Sequence, residues 1–232
     1  MNHLFILPVL FLTLLVGNPA SADFQKGFDA YERGDYATAL REFRPLAEQG
    51  NAGAQNNLGV MYEKGQGVSQ NDKTAVKWYR FAAEQGFAIA QYNLGLMYRK
   101  GQGVPQNYKT AMKWYKLAAE QGVALAQTSL GVMYGKGRGV SQNDKTAVKW
   151  YRFAAEQGFA IAQYNLGLMY HKGQGVPQDY VRAHMWYNLA TSQGDKDATE
   201  NRDIVAKKMT PADVSKAKDL ARECVKKNYK GC

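Results

Sequence analysis

The side chains that could carry chemistry are few and widely separated. His171 and His184 are the only histidines after His3, and neither has a second ligand-type residue three or four positions away. A metal site built on one helix needs such a pair. No Gly-x-Ser-x-Gly elbow occurs. Glu84, Glu120 and Glu156 recur in one setting, Ala-Glu-Gln-Gly. A general acid and base need unlike surroundings, so this repetition reads as structural. The Gly-x-Gly stretches at Gly65, Gly101, Gly137 and Gly173 lack the following Gly-Lys-Ser/Thr of a phosphate loop. The residues therefore point to no catalytic set, no metal and no cofactor. Cys224 and Cys232 are the only cysteines. At that separation, in an oxidising compartment, they read as a disulfide clipping the C-terminal end.

The compartment is set by the N-terminus. Leu4 to Val16 is almost unbroken apolar sequence, followed by Gly17-Asn18-Pro19 and the small-x-small triplet Ala20-Ser21-Ala22. This is the pattern of a secretory signal over residues 1–22, cleaved after Ala22, although no Lys or Arg precedes the run. A membrane anchor is the alternative, but so short a helix would rise only about 20 Å against a hydrocarbon core of about 30 Å. The expected location is periplasmic or secreted, with no stable membrane anchor after cleavage. Residues 1–22 hold no charged side chain, so the remaining chain keeps the whole net charge of +10. Export and the lack of a base-reading motif argue against nucleic acid. A Lys-rich solvated surface explains the charge, and an anionic envelope component could be attracted over about 8 Å.

The elements that must position these residues are internally repeated. Leu58-Gly59, Leu94-Gly95, Leu130-Gly131 and Leu166-Gly167 recur at a step of 36 residues, as do Trp78, Trp114, Trp150 and Trp186. Such a period marks a stacked repeat architecture. Within the second copy, Ala90, Leu94, Met97 and Tyr98 lie on one face of a helix expected over residues 88–100. Gly95 sits inside that helix at a cost of about 1 kcal/mol relative to Ala, which suggests close approach of a neighbouring helix. Each Gly-x-Gly ends a first helix by supplying positive φ. A second helix opens after Asn71, Asn107, Asn143 or Asp179 as N-cap. Its expected buried stripe is Ala75, Trp78, Tyr79, Ala82 and Ala83, and Gly86 stops it.

The run Ala-Gln-x-x-Leu-Gly-x-Met-Tyr-x-x-Gly-x-Gly-Val, followed by Ala-x-x-Trp-Tyr and Ala-Glu-Gln-Gly, resembles the Sel1-like repeat. The resemblance covers four copies over residues 51–194. It implies an all-α fold, a right-handed α/α superhelical solenoid of tetratricopeptide-like hairpins. It also implies an adaptor role, with envelope or host-contact tasks for exported members. One cysteine-rich exported branch is linked to β-lactam binding and hydrolysis. Its members carry a cysteine pair in each repeat, and the repeats of this chain carry none. A hydrolase or binder of the β-lactam/peptidoglycan class is the alternative reading. Residues 23–50 are similar to a tetratricopeptide-type hairpin and read as an N-terminal cap. Residues 195–232, with a break near Thr210-Pro211, read as a two-helix polar C-terminal cap.

Residues 58–106 and 130–178 differ at three positions only: Glu63/Gly135, Gln66/Arg138 and Arg99/His171. A two-repeat block has been duplicated and then edited near the end of its first helices. By resemblance to tetratricopeptide superhelices, first helices line a concave face. That register places Gly53, Asn56, Val60 and Glu63 toward the groove, then Ile89, Tyr92, Leu96 and Arg99. The later copies contribute Leu125, Thr128, Val132 and Gly135, then Ile161, Tyr164, Leu168 and His171. The expected ligand is an extended peptide or protein segment. Tyr92 and Tyr164 would stack on it, and Arg99 would pair with an acidic group.

Overall fold

The computed structural model describes residues 19–232. The apolar run of the expected signal lies outside them, and the expected cleavage point after Ala22 falls within the first described helix. Twelve helices and no strand occur among the described residues. Helix α1 (Pro19–Glu32) and α2 (Tyr36–Glu48) form the N-terminal hairpin. The first helices of the four repeats are α3 (Ala52–Lys64), α5 (Ala88–Lys100), α7 (Ala124–Lys136) and α9 (Ala160–Lys172). The second helices are α4 (Asp72–Glu84), α6 (Tyr108–Glu120), α8 (Asp144–Ala155) and α10 (Tyr180–Thr191). Helices α11 (Lys196–Ala206) and α12 (Pro211–Lys226) follow. From α1 to α11 each helix packs on its sequence neighbours, giving an all-α solenoid. No described helix is long and apolar enough to cross a membrane.

Local chemistry sets the helix ends where the spacing placed them. The Asn71, Asn107 and Asn143 side chains accept from the N–H groups of Thr74, Thr110 and Thr146, and Asp179 accepts from Arg182. Gly65, Gly101, Gly137 and Gly173 take left-handed conformations and end the first helices. The second glycine of each turn has a further task. A Cβ on Gly67 would come 2.8 Å from the Tyr36 carbonyl oxygen, and one on Gly139 would come 2.7 Å from the Tyr108 carbonyl carbon. Both contacts are to the opening residue of the preceding second helix. The turn therefore joins one repeat to the one before it.

The helical glycine of each Leu-Gly is a contact point. A Cβ on Gly95 would lie 2.7 Å from the Tyr115 ring, and one on Gly167 would lie 2.8 Å from the Tyr187 ring. The tyrosine of each second helix thus packs its ring against the glycine of its own first helix. The remaining core straddles repeat boundaries: Ala111, Tyr115, Ala118 and Ala119 of α6 meet Ala126, Leu130 and Met133 of α7. Trp78, Trp114 and Trp150 are only half-buried, packed on the edge of the preceding unit's core, and Trp186 alone is fully enclosed. The expected buried stripe needs correcting there, and Val76 belongs in it.

The C-terminal segment departs from a continuing hairpin. Helix α11 stands in register as a fifth first helix, burying Ala198 and Val205. Helix α12 then folds back along α10, and the Cys224–Cys232 disulfide closes the tail behind it.

Candidate functional site

Two arrays of side chains recur along the first helices, and the first of them holds these helices in register by hydrogen bonds. The first is a ladder of buried glutamines. Gln55, Gln91, Gln127 and Gln163 donate through Nε2 to the carbonyls of Ala47, Ala83, Ala119 and Ala155 at the end of the preceding helix. Each Oε1 in turn accepts from Gln85, Gln121, Gln157 or Gln193, thirty residues on. The Gln of Ala-Gln and the Gln of Ala-Glu-Gln-Gly are therefore one structural device. Each bond adds a side-chain donor to a helix C-terminal carbonyl that also accepts from the N–H of Gly50, Gly86, Gly122 or Gly158.

The second array lies at the end of the first helices, where the duplicated block was edited. The side chain of Glu63, Arg99 or His171 stands near the hydroxyl of the tyrosine that covers the Leu-Gly glycine, and Gly135 leaves that place empty in the third repeat. In the first repeat Tyr79 donates to Glu63 at 2.5 Å. Burial, reinforced by Glu63, pushes the Tyr79 hydroxyl far above its ordinary range. In the fourth repeat the Tyr187 hydroxyl stands 3.4 Å from His171 Nδ1. Burial holds His171 below its ordinary value, and Lys208 and Lys172 add to this. In the second repeat the Tyr115 hydroxyl is buried and makes no hydrogen bond among the described residues. Burial pushes it up to about 12, while the adjacent Arg99 charge opposes the shift. In the third repeat Gly135 leaves the Tyr151 hydroxyl without a facing side chain, and burial pushes it up to about 12.

Between the second and third repeats these differences open a small cationic cavity of about 110 Å³. It is lined by Arg99, Tyr108, Thr128, Ser129, Val132, Met133 and Arg138. The Arg99 Nε is buried there without a partner, and the Arg138 guanidinium lies over the Tyr108 ring at 5.9 Å. At the matching place in the first copy, Gln66 bonds the hydroxyls of Tyr31 and Tyr36. Two of the three edited pairs thus place their cationic members, Arg99 and Arg138, on the same cavity.

The other predicted groove residues divide. Ile89, Leu125 and Ile161 are exposed, and Leu96 and Leu168 are half-buried. Tyr92 and Tyr164 are half-buried and pack their rings 5.6 Å and 5.8 Å from those of Tyr115 and Tyr187. Asn56 and Thr128 offer less surface than the register predicts. Each is 7% exposed; Asn56 accepts from Asn93, and Thr128 donates to the Ala124 carbonyl. They occupy the register position of Tyr92 and Tyr164, and their short polar side chains bond inside the helix layer. Glu63 is engaged with Tyr79. The set that remains for a ligand is Tyr92, Leu96 and Arg99, with Arg138 added by the structure, and Tyr164, Leu168 and His171 two repeats on. Arg138 lies in the turn beyond the helix, and its only sequence signal is that it is one of the three edits.

No group of His, Cys, Asp and Glu suited to a metal ion occurs among the described residues.

The Sel1 repeat profile matches residues 52–87, 88–123, 124–159 and 160–195. A Sel1 repeat protein from Oxalobacter formigenes is 41% identical, with a TM-score of 0.72 over 77% of this chain and 74% of its own. A protective antigen present in uropathogenic Escherichia coli, displaying an SLR fold, is 25% identical at a TM-score of 0.50, over 90% of this chain and 70% of its own. An immunity protein from Pseudomonas aeruginosa is similar in fold, at 23% identity and a TM-score of 0.53, over 91% of this chain and 81% of its own. No curated protein matches the chain. With four consecutive copies across more than half its length, joined by the glutamine ladder and the glycine–tyrosine contacts, the chain belongs to the Sel1 repeat family.

Proposed function

We propose that the protein is an exported, non-catalytic scaffold that holds an extended protein or peptide segment along its first helices. The observation that carries this reading is the solvent-facing row on α5, α7 and α9. There exposed Ile89, Leu125 and Ile161 and half-buried Tyr92 and Tyr164 recur on the same set of first helices that carries Arg99 of the Arg99–Arg138 cavity. An apolar row with one cationic pocket suits an extended segment carrying an acidic group. Sel1-repeat proteins are generally protein-interaction scaffolds, which supports the class of function. The signal-type sequence over residues 1–22 supports a periplasmic or secreted location, where an anionic envelope component is a further candidate partner.

The test has two stages. Crosslinking in the producing cell, followed by mass spectrometry, identifies the partner. Binding of that partner is then measured for a Tyr92→Ala/Arg99→Ala double variant. Retained affinity in the double variant sinks the groove reading. Turnover of nitrocefin by the pure protein, abolished by a groove substitution, would replace it with the hydrolase alternative.

A further inference from the structure

The second helices carry an apolar row that the groove reading does not use. Phe81, Leu117 and Phe153 are 41%, 44% and 42% exposed, whereas Leu189 at the same register is 2% exposed. Each follows a repeat tryptophan by three residues. Trp78–Phe81 and Trp150–Phe153 meet edge-on at 5.8 Å and 5.7 Å.

The chain covers the fourth copy itself. Ala221 and Cys224 of α12 join the cluster of Trp186 and Leu189, and Tyr229 packs against that cluster. A Cβ on Gly158 would meet the Tyr229 ring at 3.0 Å, while the equivalent Gly50, Gly86 and Gly122 face open space. The fourth repeat is altered to match. Lys77, Lys113 and Lys149 give way to Met185, and Glu84, Glu120 and Glu156 give way to Ser192. Asn228 and Tyr229 are the only non-glycine residues with positive φ among the described residues. That conformation is disfavoured for residues other than glycine. The disulfide and the bond from the Tyr229 N–H to the Cys224 carbonyl hold the turn closed. At Gly158 the occupant is an aromatic ring on a short basic loop, flanked by Lys227 and Lys230, while Leu189 and Ser192 face Ala221 and Val225 of α12.

The first copy is open. A cleft of about 520 Å³ lies between α2, α3 and α4, lined by Glu48, Gln55, Trp78, Phe81, Glu84 and Gln85. Gln55 and Gln85 are already bonded to each other, which leaves the two rings as apolar walls and two exposed carboxylates at the rim. We infer that this cleft docks an aromatic side chain flanked by lysines on a loop of a partner protein, as Tyr229 docks beside Gly158 in the fourth copy. The ring would pack against Trp78 and Phe81, and the lysines would pair with Glu48 and Glu84. The site is built mainly on second helices and stands independently of the groove.

The probe is a disulfide-closed peptide of residues 224–232, titrated into the oxidised full chain by amide NMR. The expected result is saturable binding with Kd on the order of 1 mM and shifts centred on α4. Phe81→Ser should weaken it by about tenfold, and Glu84→Lys by about fivefold. Both residues are exposed, so both variants keep the fold, which far-UV circular dichroism checks. Phe153→Ser should leave the affinity unchanged. Three outcomes would overturn the inference: no saturation, equal affinity for the peptide with Tyr229→Ala, or shifts centred on α10.

Discussion

Helix α7 carries two glycines one turn apart, and the structure predicts opposite outcomes for the same substitution. A Cβ on Gly131 would lie 2.5, 2.6 and 2.9 Å from three atoms of the Tyr151 ring, which is 6% exposed. A Cβ on Gly135 would meet nothing nearer than the Ala147 Cβ at 3.7 Å. Gly→Ala inside a helix gains about 1 kcal/mol where space allows. Overpacking a rigid core costs about 1–3 kcal/mol, and three ring atoms inside van der Waals contact argue for the upper end. Gly131→Ala should therefore destabilise by a net of about 2 kcal/mol, and Gly135→Ala should stabilise by about 0.5–1 kcal/mol. In melting temperature these correspond to a fall of about 4–8 °C and a rise of about 1–4 °C. Urea unfolding followed by far-UV circular dichroism measures both, with an unchanged m-value as the check that only stability moved. On a Tyr151→Leu background, where the ring is gone, the Gly131→Ala penalty should shrink, giving a measurable coupling energy. Shifts of the same sign for the two glycines, or full additivity with Tyr151→Leu, would refute the ring-on-glycine account.

Three further outcomes follow from the same contacts. Gln91→Ala removes the side-chain donor to the Ala83 carbonyl, which keeps the Gly86 N–H, and should cost about 0.5–1.5 kcal/mol in urea unfolding, whereas a ladder without structural weight would leave the midpoint unmoved. Cys232→Ser should cost about 2–3 kcal/mol, localised to the C-terminus. Hydrogen exchange should then quicken in α12 and Trp186 fluorescence should shift toward that of exposed indole, with α3 to α7 unaffected. His184 is 2% exposed and held below its ordinary value of 6.5 by burial first, then by Arg202 and Lys218, with Asp203 opposing. The unfolded chain therefore binds the proton more readily, so this contribution is full above pH 6.5 and is lost as pH falls below it. His184→Gln should flatten the fall in urea midpoint between pH 8 and 5, and an unaltered slope would count against it.

What the sequence made legible is what neighbouring residues decide. The second copy's first helix spans Ala88–Lys100 as its periodicity predicts, because an N-terminal start and a left-handed Gly101 are local chemistry. The caps at Asn71, Asn107, Asn143 and Asp179 follow for the same reason. Gly95 was legible as a close approach because an interior helical glycine costs stability unless something needs the space. What escaped depends on partners thirty or more residues away. Gln55 and Gln85 are ordinary polar residues until the superhelix brings them together. The second glycine of each turn reads as a cap extension, yet its missing Cβ admits the preceding second helix. Asn56 and Thr128 share a register with Tyr92 and Tyr164, so period alone gave all four the same exposure. The fold-back of α12 left one signal, the replacement of repeated lysine and glutamate by Met185 and Ser192.

The three edits to the duplicated block share a physical logic. Each falls on a side chain that faces a tyrosine without carrying core packing. Glu63 accepts from Tyr79, Gly135 vacates the same place beside Tyr151, and Arg99 and His171 stand by Tyr115 and Tyr187. Gln66 bonds Tyr36, whereas Arg138 stacks on the equivalent Tyr108. In every copy the tyrosine ring stays on its Leu-Gly glycine, so the contact that fixes the hairpin is untouched. Only the group presented at the end of the first helix changes: a carboxylate, a guanidinium, nothing, then an imidazole. The repeat thus separates stability, held by glycine, ring and glutamine ladder, from surface chemistry, held by one side chain per hairpin and its following turn. A duplicated block can diversify what it binds at these positions without renegotiating its core. The Arg99–Arg138 cavity is where that freedom has been used most, because edits from both halves of the block converge on it.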